Sequence, residues 1–214
     1  MTGILFDLDG TLLDTLEDLT DATNYALSQF GYPPRILAQV RRAVGNGAAN
    51  QIRRSLPEGT PEKFVQNVLD VYKPYYTAHC RIKTRPYTGI PEALAILRER
   101  YPVAIVSNKP DAAVKALCAE YFPGIFALGE TADCPRKPAP DMVFRGMQAI
   151  GVDCCIYVGD SEVDVQTADN AGVPCLSVLW GFRDRWDLVD AGGKYFCETT
   201  GQLVEKIEEL IHGK

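Results

Sequence analysis

Short apolar runs alternate with helix-patterned segments along this chain, and the alternation is suspended between residues 15 and 83. Gly3 to Leu8, Val103 to Val106, Ile125 to Leu128, Cys155 to Val158 and Pro174 to Val178 read as strands. Each is apolar on both faces, as expected for central strands of a parallel sheet covered by helices. Between them, Pro91 to Arg100, Asp111 to Tyr121, Pro140 to Ile150 and Val163 to Ala171 read as helices. Several of these open with Pro or Asp, which suit a first helical turn. The rhythm predicts an α/β fold with a doubly wound, Rossmann-like parallel sheet.

The interruption reads as helices only: Thr15 to Phe30, Pro34 to Val44, Ala48 to Leu56 and Pro61 to His79. Turns at Gly31-Tyr32-Pro33-Pro34, Gly45-Asn46-Gly47 and Pro57-Glu58-Gly59 separate them. We therefore expect a core of residues 1–14 and 84–214, with an all-helical domain of residues 15–83 inserted after the first strand. Arg85 to Gly89 would be the hinge of return.

Composition narrows the function classes. The 214 residues are 46% hydrophobic and 23% charged, an ordinary globular balance. A net charge of -6 argues against nucleic-acid binding, which needs clustered Lys and Arg, and obliges an anionic substrate to find local positive charge. The first residues carry no secretory leader pattern, and no apolar run is long enough to span a bilayer. Seven scattered Cys fit reduced thiols, buried as small hydrophobes in a cytoplasmic protein.

Two acids, Asp7 and Asp9, stand two apart at the end of the first apolar run, in "GILFDLDGTLLD". Residues two apart on a strand face the same way, and buried carboxylates need a pairing partner or a metal. Gly10 permits a sharp turn whose N–H groups can cradle an anion. Asp160 ends a second strand in "CIYVGD". Ligands of open α/β sheets bind at these carboxyl ends. A lone strand-end acid reads equally well as a helix cap; two such ends carrying acids read as a site for a hard cation such as Mg²⁺. Ser107 and Asn108 follow the strand "VAIV" and offer donors to phosphate oxygens, and Lys137 in "CPRKPAP" offers the positive charge. Asp164 lies one helical turn beyond Asp160.

With "DLDGTLLD", "SNKP", "RKPAP" and "GDSEVD" in this order, the chain resembles the haloacid dehalogenase superfamily, in particular its phosphoglycolate phosphatase-like branch with a helical cap. The resemblance implies a Mg²⁺-dependent phosphatase acting on a small phosphorylated metabolite through an aspartyl-phosphate. Asp7 would be the nucleophile and Asp9 the acid/base. Asp7, Asp160 and the main-chain carbonyl of Asp9 would hold the metal. Ser107 and Asn108, with Gly10, would bind the phosphoryl oxygens. Lys137 would balance charge, and Asp164 would orient Lys137 or metal-bound water. Gly45, Asn46 and Gly47 resemble a cap loop that faces the leaving group.

A phosphoglucomutase-like transferase or a pyrophosphatase would use the same core. A phospho-acceptor signalling domain also places acids, a hydroxyl and a Lys at strand ends, but the paired acids and helical insertion count against it. Arg41, Arg42, Arg53 and Arg54 flank the glycine loop and read mainly as solvated helix faces.

Overall fold

The computed structural model describes residues 1–213. Strand β1 (Thr2–Phe6) is followed by a short β2 (Leu13–Asp14) and four helices: α1 (Leu16–Ser28), α2 (Leu37–Ala43), α3 (Gly47–Ser55) and α4 (Glu62–His79). The chain returns through β3 (Arg85–Pro86), then alternates: α5 (Ile90–Arg100), β4 (Val103–Pro110), α6 (Asp111–Tyr121), β5 (Phe126–Glu130), α7 (Asp141–Ile150), β6 (Cys154–Gly159), α8 (Glu162–Ala171) and β7 (Cys175–Val178). It closes with α9 (Arg185–Asp190), β8 (Tyr195–Cys197) and α10 (Leu203–His212), three elements for which the strand and helix patterns above make no provision.

Six strands form one parallel sheet in the order β5-β4-β1-β6-β7-β8. From β1 the chain winds outward through β4 and β5, returns to β6 beside β1, and winds out the other way, so the order reverses between β1 and β6. That reversal opens a crevice at the carboxyl ends of these two strands. Alternation fills both faces: Ile4 and Phe6 join the apolar cluster of α5, α6 and α10, while Leu5 joins that of α7 and α8. One expectation needs correction. As the sheet's edge, β5 leaves Phe126 exposed rather than buried on both faces.

The helices of residues 16–79 leave and rejoin the chain at one place. There β2 and β3 pair antiparallel, Leu13 opposite Pro86 and Asp14 opposite Arg85. Asp18 fastens the return, accepting bonds from the N–H groups of Lys83 and Thr84 and from the Thr84 hydroxyl. Val40, Ile52, Val65, Val68 and Leu69 bury themselves between the four helices, continuous with the apolar cluster under the sheet. Fully burying such a side chain contributes roughly 1.5–3 kcal/mol.

The seven cysteines are free thiols. Cys154 departs from the small-hydrophobe reading because it starts β6 at the surface. Among the described residues no helix is long and apolar enough to cross a membrane.

Candidate active site

Four side chains meet at the β1/β6 crevice, three from loops and one, Asp164, from the first turn of α8. Asp7, one residue past β1, is buried, and its carboxylate accepts a hydrogen bond from Lys137 Nζ at 2.8 Å. The same ammonium donates to Asp164 at 2.7 Å and to the Tyr157 hydroxyl at 2.9 Å. Lys137 is 2% exposed. Asp160, one residue past β6, is fixed by the Thr11 hydroxyl at 3.1 Å and the Phe182 N–H at 2.7 Å. Asp164 also takes the N–H and hydroxyl of Ser161, capping the start of α8.

Three buried carboxylates, those of Asp7, Asp160 and Asp164, lie with oxygens within 4.8 Å of one another, and one ammonium stands among them. Burial pushes Asp7 up to about 7 despite Lys137 beside it. Burial, with Asp164 and Asp7 adding to it, pushes Asp160 well above the carboxylate range. Burial works against the charge on Lys137, yet Asp164 and Asp7 hold its pKa well above the lysine norm. A surplus of buried negative charge is the condition that a divalent cation relieves, and an all-oxygen donor set suits Mg²⁺. Asp164 spends both oxygens on four donors, whereas Asp7 and Asp160 have capacity left for a cation.

Glycine makes this crowding feasible. Gly10 sits at φ +80°, and a Cβ there would strike the Asp160 carboxylate. A Cβ on Gly181 would strike the Asp160 Cβ and the Gly10 carbonyl.

Two expected phosphate donors hold bonds within the protein. The Gly10 N–H donates to the Leu13 carbonyl at 2.9 Å, and the N–H groups of Leu12 and Leu13 close on the Leu8 carbonyl. The turn thus satisfies its own N–H groups, and Gly10 allows the close approach of Asp160. The Asn108 side chain also bonds within the protein: its amide donates one N–H to the Lys137 carbonyl and accepts from the Lys137 N–H, both at 2.8 Å. It ties the Lys137 loop to the end of β4. Ser107 is 2% exposed and faces the cavity, with its hydroxyl proton uncommitted to any described residue.

Asp9 faces the same cavity but does not join the acid cluster. Both its oxygens accept from Lys109 Nζ, at 2.6 and 2.7 Å. The cavity encloses about 40 Å³ of open space. Its roof comes from the helices: Leu19, Gln51, Tyr72 and Tyr76, with Val44, Gly45, Gly47 and Ala48. Gly45 and Gly47 of the glycine loop line it and Asn46 does not. Arg41, Arg42, Arg53 and Arg54 stay outside; Arg41 instead bonds the Gly181 carbonyl and Asp184.

With this geometry in view, comparison with known proteins is decisive. A family model for haloacid dehalogenase-like hydrolases matches residues 4–178. This chain belongs to that family. It is 32% identical over 98% of its length, and 78% of the relative's, to a phosphoglycolate phosphatase of Pseudomonas syringae pv. tomato. It is 34% identical, with the same coverage, to one from Pseudomonas putida. A crystal structure from Lactobacillus delbrueckii subsp. bulgaricus, provisionally named a phosphoglycolate phosphatase, superposes with a TM-score of 0.91 at 38% identity, over 96% of this chain and 98% of that one. The enzyme is thus phosphoglycolate phosphatase-like, a phosphoric monoester hydrolase.

Several groups of this hydrolase's site escape the sequence reading. Tyr157 looks like a strand hydrophobe, yet its hydroxyl completes the Lys137 cluster. Tyr72 and Tyr76 stand four apart on α4 and read as its apolar stripe. Arg183 reaches the Val44 carbonyl at 2.6 Å and pairs with Glu162 at 2.6 Å, joining the loop after β7 to the roof. Lys109 had a signal, its place in "SNKP" beside Ser107 and Asn108.

Proposed function

We propose that this hydrolase is a Mg²⁺-dependent phosphatase that releases inorganic phosphate from a small phosphomonoester of the phosphoglycolate class, with Asp7 as nucleophile. The observation that carries the reading is the buried Asp7 carboxylate at the sheet's reversal point, held by Lys137 and set beside Asp160. The names of the relatives support the substrate class.

In this mechanism an Asp7 oxygen attacks phosphorus, the ester P–O bond breaks, and Asp9 gives its proton to the departing alkoxide. Water then attacks phosphorus of the aspartyl-phosphate, Asp9 takes a proton from it, and the acyl-phosphate bond breaks to free phosphate and the Asp7 carboxylate. Lys137 holds Asp7 in place and offsets charge gathering on the phosphoryl oxygens. Ser107 donates to one of those oxygens. Asp7, Asp160 and the Asp9 carbonyl would hold Mg²⁺, which when bound neutralises repulsion between nucleophile and phosphate. Asp164 keeps Lys137 oriented. The helices of residues 15–83 act as a cap domain that shuts out bulk water. Reduced cysteines fit work in the cytoplasm.

A phosphate-release assay across 2-phosphoglycolate, hexose phosphates, nucleotides and pyrophosphate tests this directly. We expect turnover of 2-phosphoglycolate that excess EDTA abolishes and Mg²⁺ restores. Asp7→Asn should lose about 10⁴-fold or more in kcat while melting within a few degrees of wild type, since a neutral amide suits a buried position. Turnover surviving in that variant refutes the nucleophile, and isomer formation without phosphate release would make the enzyme a mutase.

A further inference from the structure

The cavity's cations are unevenly committed. Lys137 is fixed by Asp7 and Asp164, and Arg183 by Glu162 and the Val44 carbonyl. The arginines of α2 and α3 lie outside the cavity. Lys109 remains. Its side chain is 1% exposed, its Nζ lies 4.5 Å from the centre of the Tyr76 ring, and its partner is Asp9. Asp9 is the group that the proposed mechanism sets at the leaving oxygen, and Lys109 holds both its oxygens, at 2.6 and 2.7 Å.

A second observation points to a ligand at the same place. Tyr76 is wholly buried and lines this cavity, yet its hydroxyl has no hydrogen-bond partner among the described residues. A buried hydroxyl left without a partner is uncommon in folded proteins. Tyr76 belongs to α4 and Lys109 to the end of β4, so roof and sheet each contribute one residue to this corner of the cavity. Of the other roof side chains, Leu19, Val44 and Ala48 are apolar, and Gln51 is bonded to Tyr72 and to Thr23, which leaves no open array of donors and acceptors such as sugar hydroxyls require.

We propose that Lys109 and Tyr76 form the subsite for an anionic group, a carboxylate, on the leaving alcohol, and that Lys109 passes from Asp9 to that group when substrate binds. The exchange gives the substrate's own charge the task of freeing Asp9. An ester without the charge leaves Asp9 held. Selectivity thus comes from a lysine of the sheet and a tyrosine of the roof rather than from the roof's arginines. The inference deepens the proposed function and rests on its assignment of Asp9.

The test compares two esters that differ only at the far end, 2-phosphoglycolate and ethyl phosphate, and two inert analogues, 3-phosphonopropionate and propylphosphonate. Wild type, Lys109→Met, Lys109→Arg and Tyr76→Phe are assayed with Mg²⁺ for kcat and KM, and titrated with the analogues by calorimetry. Intrinsic reactivity of the esters cancels when preferences are compared between variants. Lys109→Met should lose between about tenfold and about a hundredfold of the preference for the carboxylate member of each pair, the effect of removing a charged hydrogen bond. Lys109→Arg should keep part of the preference, and Tyr76→Phe should lose about three- to tenfold of it. Should Lys109→Met not turn over at all, the ratio of analogue affinities still decides. Should it not fold, Tyr76→Phe does. An unchanged preference in the folded Lys109→Met variant, or an unchanged one in Tyr76→Phe where that variant decides, overturns the subsite. Wild type releasing phosphate from neither ester would instead overturn the phosphoglycolate-class reading on which the subsite rests.

Discussion

The two walls of the cavity are made by opposite means. The sheet side is a set of charges on loops at strand ends, each immobilised by several bonds: Lys137 by Asp7, Asp164 and Tyr157, and Asp160 by Thr11 and Phe182. The helical side is neutral, built from aromatic and aliphatic side chains on helix faces, with a long 3.4 Å bond from Tyr72 to Gln51 as a polar tie. The contrast separates two tasks. Stabilising developing charge needs groups whose positions do not relax, whereas choosing a substrate needs only shape and one or two well-placed donors.

Substitutions on the two walls should accordingly differ in kind. Lys137→Met leaves three buried carboxylates without their ammonium, so we expect kcat to fall by about 10²–10³-fold for every ester alike and stability by about 3–5 kcal/mol, read from phosphate release and urea unfolding. A loss confined to one substrate would break the comparison. Gly181→Ala pushes a methyl against Asp160 and the Gly10 backbone. It should cost about 1–3 kcal/mol, lower kcat, and leave substrate preference intact, checked by the same two measurements. On the other wall, Tyr72→Phe removes only a weak bond. Stability should change by less than about 1 kcal/mol and kcat by less than about threefold, as steady-state assays would reveal. A roof variant that depressed all substrates as Lys137→Met does would erase the distinction.

The walls also differ in how far their residues can be read from the chain. Asp7 and Asp160 are legible because an acid that ends a doubly apolar strand has few physical explanations, and two such ends in one parallel sheet have fewer. Lys137 needed the family resemblance, for nothing local distinguishes a loop lysine that will be buried from one that stays in water. The internal bonds of Gly10 and Asn108 escape the sequence for a common reason. A donor in a turn advertises itself in sequence, but the acceptor that consumes it does not, whether Leu13 three residues on or Lys137 far along the chain. The roof is the least legible part, since Tyr72 and Tyr76 satisfy the helix period as ordinary core residues do. The core β-α alternation was legible because two-faced apolar strands recur, whereas three-residue β8 at the sheet edge is too short to show any period.

The paired bonds between the Asn108 side chain and the Lys137 backbone couple segments that belong to different β-α units. Anyone grafting this chemistry onto another scaffold, or recombining it with a homologue, would have to move residues 107–109 and 136–138 together. Exchanged singly, either piece would arrive without its mate, and the lysine would lose its register with Asp7 even though every residue of the site was present.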